Sequence, residues 1–284
     1  MKTGKRILPS ALEALGPITG YSRSCLSTSL YLEKYRLLLD AGPLSCYNSH
    51  SAHATKVLIT HFHHDHWTGI ISLLGLKKCR DVYDPVHIFS PKGTISFLRS
   101  VLLELKNKRE LSINLESELE SSSISENTIP VILHPLEANQ TVETGDELRI
   151  ETFGVVHRSE SLGFKFSAKK KDDASWTRLL TYTGDTSTAP LQDGDILSSP
   201  VLITECTYLE PDKKEKAEER GHMTLSNIVD VESKFKGDCI LLIHFKVSYT
   251  EKEISRSINS YKYSRVKPTA ICTKITDMEM SRSI

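Results

Sequence analysis

Apolar and polar positions along the chain switch between two periods. Thr28–Leu32, Tyr35–Asp40 and Lys56–Thr60 are short β-rich runs separated by charged or small residues, and Asp40-Ala41-Gly42-Pro43 reads as a turn. Near Asp65 the period lengthens. Ile70, Ile71, Leu73 and Leu74 predict a helix from Asp65 to Gly75 or beyond, and Ile95, Phe97, Leu98, Val101, Leu102 and Leu105 predict another over 92–106. Strand signal returns over 129–133, 148–156, 163–166, 179–183 and 201–204. A helix over 224–235, a strand over 239–244 and a helix over 250–261 complete the pattern. Strands that feed helices in both halves predict an α/β fold, and residues 1–284 read as a single domain without solenoid or propeller repeats.

Composition narrows this picture. The chain has 284 residues, 39% of them hydrophobic and 25% charged, which excludes collagen-like, wholly disordered and disulfide-scaffold classes. Lys plus Arg equal Asp plus Glu at 36 each, so a polyanionic partner must be held by a local basic patch or by metal ions. Six cysteines, none in a CxxC pair, point to reduced structural thiols and an intracellular protein, cytosolic or nuclear. The basic segment Met1–Ser10 is not followed by a continuous apolar stretch, so neither a secretory signal nor a presequence is expected. No apolar run approaches the roughly 18 residues of a membrane span, so no membrane partner is expected. Residues 107–128, rich in Glu and Ser, read as a solvated insertion.

The candidate chemistry is concentrated in Thr60-His61-Phe62-His63-His64-Asp65-His66, where an apolar strand gives way to a helix. Four of the eleven histidines fall here. On extended backbone His61 and His63 point to the same side, and Asp65 and His66 can aim a second pair of ligands at a nearby point. Imidazole and carboxylate together favour zinc, with manganese or iron as alternatives.

This string, His61-x-His63-x-Asp65-His66 after an apolar strand, resembles the signature of the metallo-β-lactamase superfamily, and the chain is most similar within it to short-form tRNase Z. Further matches follow in the family's order: Leu39-Asp40-Ala41-Gly42, Phe89-Ser90-Pro91-Lys92-Gly93, the segment from His157 to Phe164, Tyr182-Thr183-Gly184-Asp185-Thr186, Thr204-Glu205-Cys206-Thr207-Tyr208, the segment from Gly221 to Ser226, and Leu242-Ile243-His244-Phe245.

The resemblance implies an αββα sandwich with two metal ions, taken as zinc with manganese as the alternative, at one edge. It implies that His61, His63 and His157 hold one ion, that Asp65, His66 and His244 hold the other, and that Asp185 bridges them. It assigns His222 as the proton donor to the leaving oxygen, with Glu205 supporting its other nitrogen, and Asp65 as a contact of the nucleophile. Arg158 and Lys92, basic residues in two of the matched segments, are expected to contact substrate. The implied activity is endonucleolytic removal of the 3′ trailer of precursor tRNA by a homodimer. One feature departs from the family: 27 residues separate His157 from Asp185, too few for the usual tRNA-gripping arm, although Lys169-Lys170-Lys171 and Trp176 lie there. Two other readings therefore stay open, a phosphodiesterase acting on small cyclic or nucleotide diesters and a non-catalytic scaffold of the same fold.

Overall fold

The computed structural model describes residues 10–46, 49–115, 127–144, 148–169 and 175–271. Among the described residues, fourteen strands form two seven-stranded sheets, accompanied by the helices α1 (Ser10–Leu15), α2 (His64–Trp67), α3 (Gly69–Cys79), α4 (Lys92–Asn107), α5 (Lys214–Glu219), α6 (Leu225–Glu232) and α7 (Glu251–Ser260). The first sheet holds β1 (Ile18–Arg23), β2 (Ser27–Leu32), β3 (Leu37–Leu39), β4 (Lys56–Leu58), β5 (Val86–Pro91), β6 (Ile113–Leu115) and β7 (Ile129–Leu136), in the order β1-β2-β3-β4-β5-β7-β6. The second holds β8 (Thr141–Glu143), β9 (Leu148–Gly154), β10 (Leu162–Lys169), β11 (Trp176–Tyr182), β12 (Val201–Glu205), β13 (Cys239–Ile243) and β14 (Thr269–Ala270), in the order β14-β13-β12-β11-β10-β9-β8. Each sheet is antiparallel on one side and parallel on the other, with β3-β4-β5-β7 and β11-β12-β13-β14 as parallel runs.

Alternation along each strand divides the apolar residues between layers. Leu37, Leu39, Leu58 and Phe89 face Phe164, Phe166, Leu180, Tyr182, Ile203 and Leu241 in a core between the sheets. Leu38, Val57, Ile88 and Val131 take the opposite face and pack on α3 (Gly69–Cys79) and α4 (Lys92–Asn107). On the far side, Leu202, Ile240 and Leu242 pack on α6 (Leu225–Glu232) and α7 (Glu251–Ser260). Parallel strands covered on both faces read as unbroken apolar runs, which is why β3 and β13 are Leu-Leu-Leu and Cys-Ile-Leu-Leu-Ile. The result is the αββα sandwich expected from the sequence. Among the described residues, no helix is long and apolar enough to cross a membrane.

Two expectations need correction. The polar stretch 107–128 is not a loop throughout: Ile113–Leu115 is the edge strand β6, with Ile113 and Leu115 buried, paired in parallel with Ile129–Val131. The helix expected from Asp65 onward is divided at Thr68 into the short α2 (His64–Trp67) and α3. Its backbone there runs against the turn after β3, where a Cβ on Gly69 would lie 1.9 Å from the Gly42 carbonyl oxygen. The Glu- and Ser-rich residues 116–126, and Lys170 and Lys171, lie outside the described residues.

Candidate metal centre

Parallel strands deliver their following residues to one rim of the sandwich. His61 follows β4, Asp185 follows β11, Glu205 ends β12 and His244 follows β13. His157 lies three residues beyond β9, while Asp65 and His66 sit on α2. Side chains spread over 184 positions thus converge: the ligand-type atoms of His61, His63, His157 and Asp185 lie within 4.8 Å of one another, as do those of Asp65, His66 and His244. Asp185 stands between the groups, with Oδ2 3.8 Å from His61 Nε2, 3.4 Å from His66 Nε2 and 3.1 Å from His244 Nε2. His244 Nε2 is 3.3 Å from Asp65 Oδ2, and His157 Nε2 is 3.1 Å from His63 Nδ1.

The surrounding hydrogen bonds select which nitrogen each imidazole presents. Thr60 Oγ1 donates to Asp40 and therefore accepts from His61 Nδ1 at 2.9 Å. His66 Nδ1 donates to Asp40 Oδ2 at 2.8 Å, and His157 Nδ1 donates to the Gly221 carbonyl at 2.9 Å. Thr207 Oγ1, which donates to Glu205 Oε2, accepts from His244 Nδ1 at 3.0 Å. With Nδ1 occupied in all four rings, Nε2 is turned to the interior as the ligand-type nitrogen.

Asp40 organises much of this. Buried and at φ 54°, it accepts from Thr60 N at 2.8 Å, from His66 and from the Tyr182 hydroxyl. Neither Asp40 nor Thr60, Tyr182, Thr207 and Gly221 stands out from spacing as a site residue. The available signal was that Asp40, Tyr182, Thr207 and Gly221 lie in the matched segments and Thr60 beside the histidine string, which marks their neighbourhood without giving them a role.

These donors fit a divalent cation. His61 Nε2, His66 Nε2 and Asp185 Oδ1 are buried without a hydrogen-bond partner, yet all belong to side chains aimed at the same region. Titration follows the same logic. Burial holds His61, His63 and His157 below the ordinary imidazole value, with neighbouring imidazoles adding to the effect at His61 and His63. They are therefore neutral and ready to ligate. Burial also opposes charge on His66, but Asp185 and Asp40 outweigh it and hold that imidazole well above its usual range. Asp185, which burial would raise, is held well below the carboxylate range by His244 and His66.

Beside this cluster, Glu205 is wholly buried and fully engaged. Oε1 accepts from Thr186 N at 2.9 Å and His222 Nδ1 at 2.7 Å, and Oε2 accepts from Thr207 N at 3.1 Å and Met223 N at 3.2 Å. Burial lowers the His222 pKa, but the Glu205 carboxylate more than reverses this and lifts it to about 9. Beginning two residues beyond His222, Thr224 and Asn227 form a reciprocal capping box at the start of α6. The His222 ring also groups with Asp185 and His244. Arg158 and Lys92 are exposed, and among the described residues no hydrogen bond or ion pair joins either to the cluster.

Gly221 is required at its position twice over. Its φ is +68°, and an added Cβ would lie 2.7 Å from His157 Cα and 2.9 Å from His157 Nδ1. Gly221→Ala is expected to push the His157 ring off its carbonyl acceptor and weaken metal affinity about 10- to 100-fold, read by chelator competition. Unchanged affinity would show that Gly221 does not orient His157.

Comparisons with known proteins agree with this geometry. Residues 35–245 match the family described as the beta-lactamase superfamily domain. A tRNase Z of Arabidopsis thaliana is 26% identical over 276 residues, covering 86% of this chain and 90% of that protein. A ribonuclease Z of Pyrobaculum islandicum is 24% identical over 248 residues, covering 81% and 84%. Among solved structures, human tRNase Z, short form, aligns with a TM-score of 0.59 at 18% identity, covering 81% of this chain and 92% of that one. A diphosphatase of the PhnP family aligns with a TM-score of 0.59 at 16% identity, covering 88% and 83%.

Proposed function

The chain belongs to the β-lactamase superfamily, and on that premise we propose that it is a metal-dependent phosphodiesterase that cleaves the 3′ trailer from precursor tRNA. The observation that carries the reading is the convergence of seven ligand-type side chains next to a buried Glu205–His222 pair. Its tRNA component is supported by similarity to tRNase Z along 86% of the chain.

His61, His63 and His157 would hold one cation and Asp65, His66 and His244 the other, with Asp185 shared. Zinc suits the imidazole-rich donors, and manganese is the alternative. Divalent cations bound there supply Lewis acidity, activating water and neutralising phosphate charge. The chain's own groups do the rest. The Asp65 carboxylate, fixed by the Cys25 N–H at 2.8 Å, accepts a hydrogen bond from the attacking water. His222, bound through Nδ1 to Glu205, whose carboxylate favours its protonated form, donates from Nε2 to the departing oxygen. Glu205 fixes the tautomer and favours the imidazolium.

The products would be a tRNA with a 3′-hydroxyl and a trailer with a 5′-phosphate. The homodimer implied by the resemblance belongs to the same proposal, and light scattering tests it. A second reading, hydrolysis of small diesters, is favoured by the 27-residue interval between His157 and Asp185 and by the zero net charge, because phosphate contacts usually dominate nucleic-acid affinity. A labelled precursor tRNA and bis(p-nitrophenyl) phosphate, each incubated with the zinc- or manganese-loaded protein, separate the two. Trailer release is the expected result; hydrolysis of the small diester alone would replace the tRNA reading.

A further inference from the structure

A recess of about 260 Å³ lies at the same rim, lined by Phe62, Phe97, Gly93, Thr94 and Glu160. Phe62 sits between His61 and His63, and Glu160 is three residues beyond His157. Consecutive Cα atoms are about 3.8 Å apart, so the backbone that carries Phe62 in the recess wall is the same short segment that carries His61 and His63 into the cluster. The aromatic wall of the recess is a contiguous cluster of rings. Phe62 stacks on Trp67 at 5.8 Å and meets Phe97 edge-on at 4.7 Å, while Trp67 Nε1 donates to the Phe62 carbonyl at 2.9 Å. Despite these contacts Phe62 and Phe97 remain 40% and 41% exposed, an adjacent pair of large apolar faces open to solvent.

Glu160 decides what such a recess can accept. One carboxylate oxygen is anchored by the Gly93 N–H at 3.2 Å, and a carboxylate has a second oxygen to offer as acceptor. A negative, acceptor-only wall repels phosphate and favours a flat, uncharged group bearing N–H donors. A nucleobase with an exocyclic amino group meets both conditions: its π-face stacks on phenylalanine and its amino group donates to the carboxylate. Resting on the phosphodiesterase reading above, we infer that this recess seats a nucleobase of the substrate held at the cluster and prefers an amino-bearing base to uracil. Phe97 and Glu160 are thereby specificity residues, set apart from the groups that hold metal.

Calorimetric titration of the zinc-loaded full chain with cytidine 5′-monophosphate, uridine 5′-monophosphate and ribose 5-phosphate tests this without turnover. The cytidine nucleotide is expected to bind most tightly. Phe97→Ala, a change at an exposed position, should weaken it about ten-fold or more and leave ribose 5-phosphate within about two-fold. Phe97→Leu, which keeps apolar bulk and loses the π-face, should behave similarly. Glu160→Gln should narrow the gap between cytidine and uridine. Equal binding of nucleotide and ribose phosphate overturns the inference, as does an equal loss of both in Phe97→Ala. So does a Phe97→Ala protein whose only change is its oligomeric state, because the recess would then be a contact between copies. Failure of the phosphodiesterase reading is separately visible as nucleotide binding without hydrolysis of either precursor tRNA or bis(p-nitrophenyl) phosphate.

Discussion

Asp185→Ala is expected to reduce phosphodiester hydrolysis by more than about a thousand-fold and to lower bound metal below one ion per chain, measured by elemental analysis of purified protein. Asp185 Oδ2 approaches imidazole nitrogens from both groups, at 3.1, 3.4 and 3.8 Å, and supplies the negative charge between them. Losing it takes a donor from each group and leaves their imidazoles facing one another without an intervening negative charge. Asp185→Asn keeps the shape and removes the charge, so it should retain the fold while losing most of the metal. A metal-replete, active Asp185→Ala protein would overturn the assignment of the shared ligand.

The same residue makes a prediction about stability in chelated protein. Burial would raise the Asp185 pKa, but His244 and His66 hold it well below the carboxylate range. A depressed folded-state pKa contributes stability above the ordinary aspartate value near 3.9 and loses it as pH falls towards the folded-state value. Asp185→Asn should therefore flatten the acid side of the stability curve of the metal-free protein.

How much of this centre can be read without coordinates depends on how far apart its parts lie in the chain. His61, His63, Asp65 and His66 share one turn of backbone, so their spacing alone announces ligand provision. His157, Asp185 and His244 are single residues after apolar strands, and only the resemblance selects them from the other histidines and aspartates. The residues that aim the rings are harder still. Asp40 reaches His66 across 26 positions within the first half of the sandwich, and Tyr182 across 142, a contact that exists only once the two sheets have packed. Ser22 is similar: its hydroxyl accepts from the backbone N–H of His244, 222 positions away, and so supports a histidine at φ 61°. Long periodic helices such as α4 are visible because their signal is local. β6 is hidden because three residues in a polar stretch become a strand only by pairing with β7.

His222→Ala should slow hydrolysis about 10²- to 10⁴-fold while metal content stays at the wild-type level. The reason lies in how the two nitrogens are used. Nδ1 is committed to Glu205 at 2.7 Å, which fixes the ring and favours its protonated form. Nε2 is then the proton available to a leaving oxygen. Because His222 also groups with Asp185 and His244, a ligand role is the competing account, and metal analysis decides between them. Loss of metal in His222→Ala would exclude the proton donor.

The pH profile adds an independent check. A general acid must be protonated, so the rate should fall as pH rises through the His222 pKa, which is about 9 in the metal-free protein and lower beside bound cations. In Glu205→Gln the negative charge that raises that pKa is gone, so the alkaline limb should move to lower pH and part of the lost rate should return on mild acidification. The acid limb should stay in place, since it reflects protons competing for the ligand histidines. A Glu205→Gln profile that drops uniformly at every pH would make Glu205 a structural anchor for the Thr186, Thr207 and Met223 amides, with no part in holding the proton on His222.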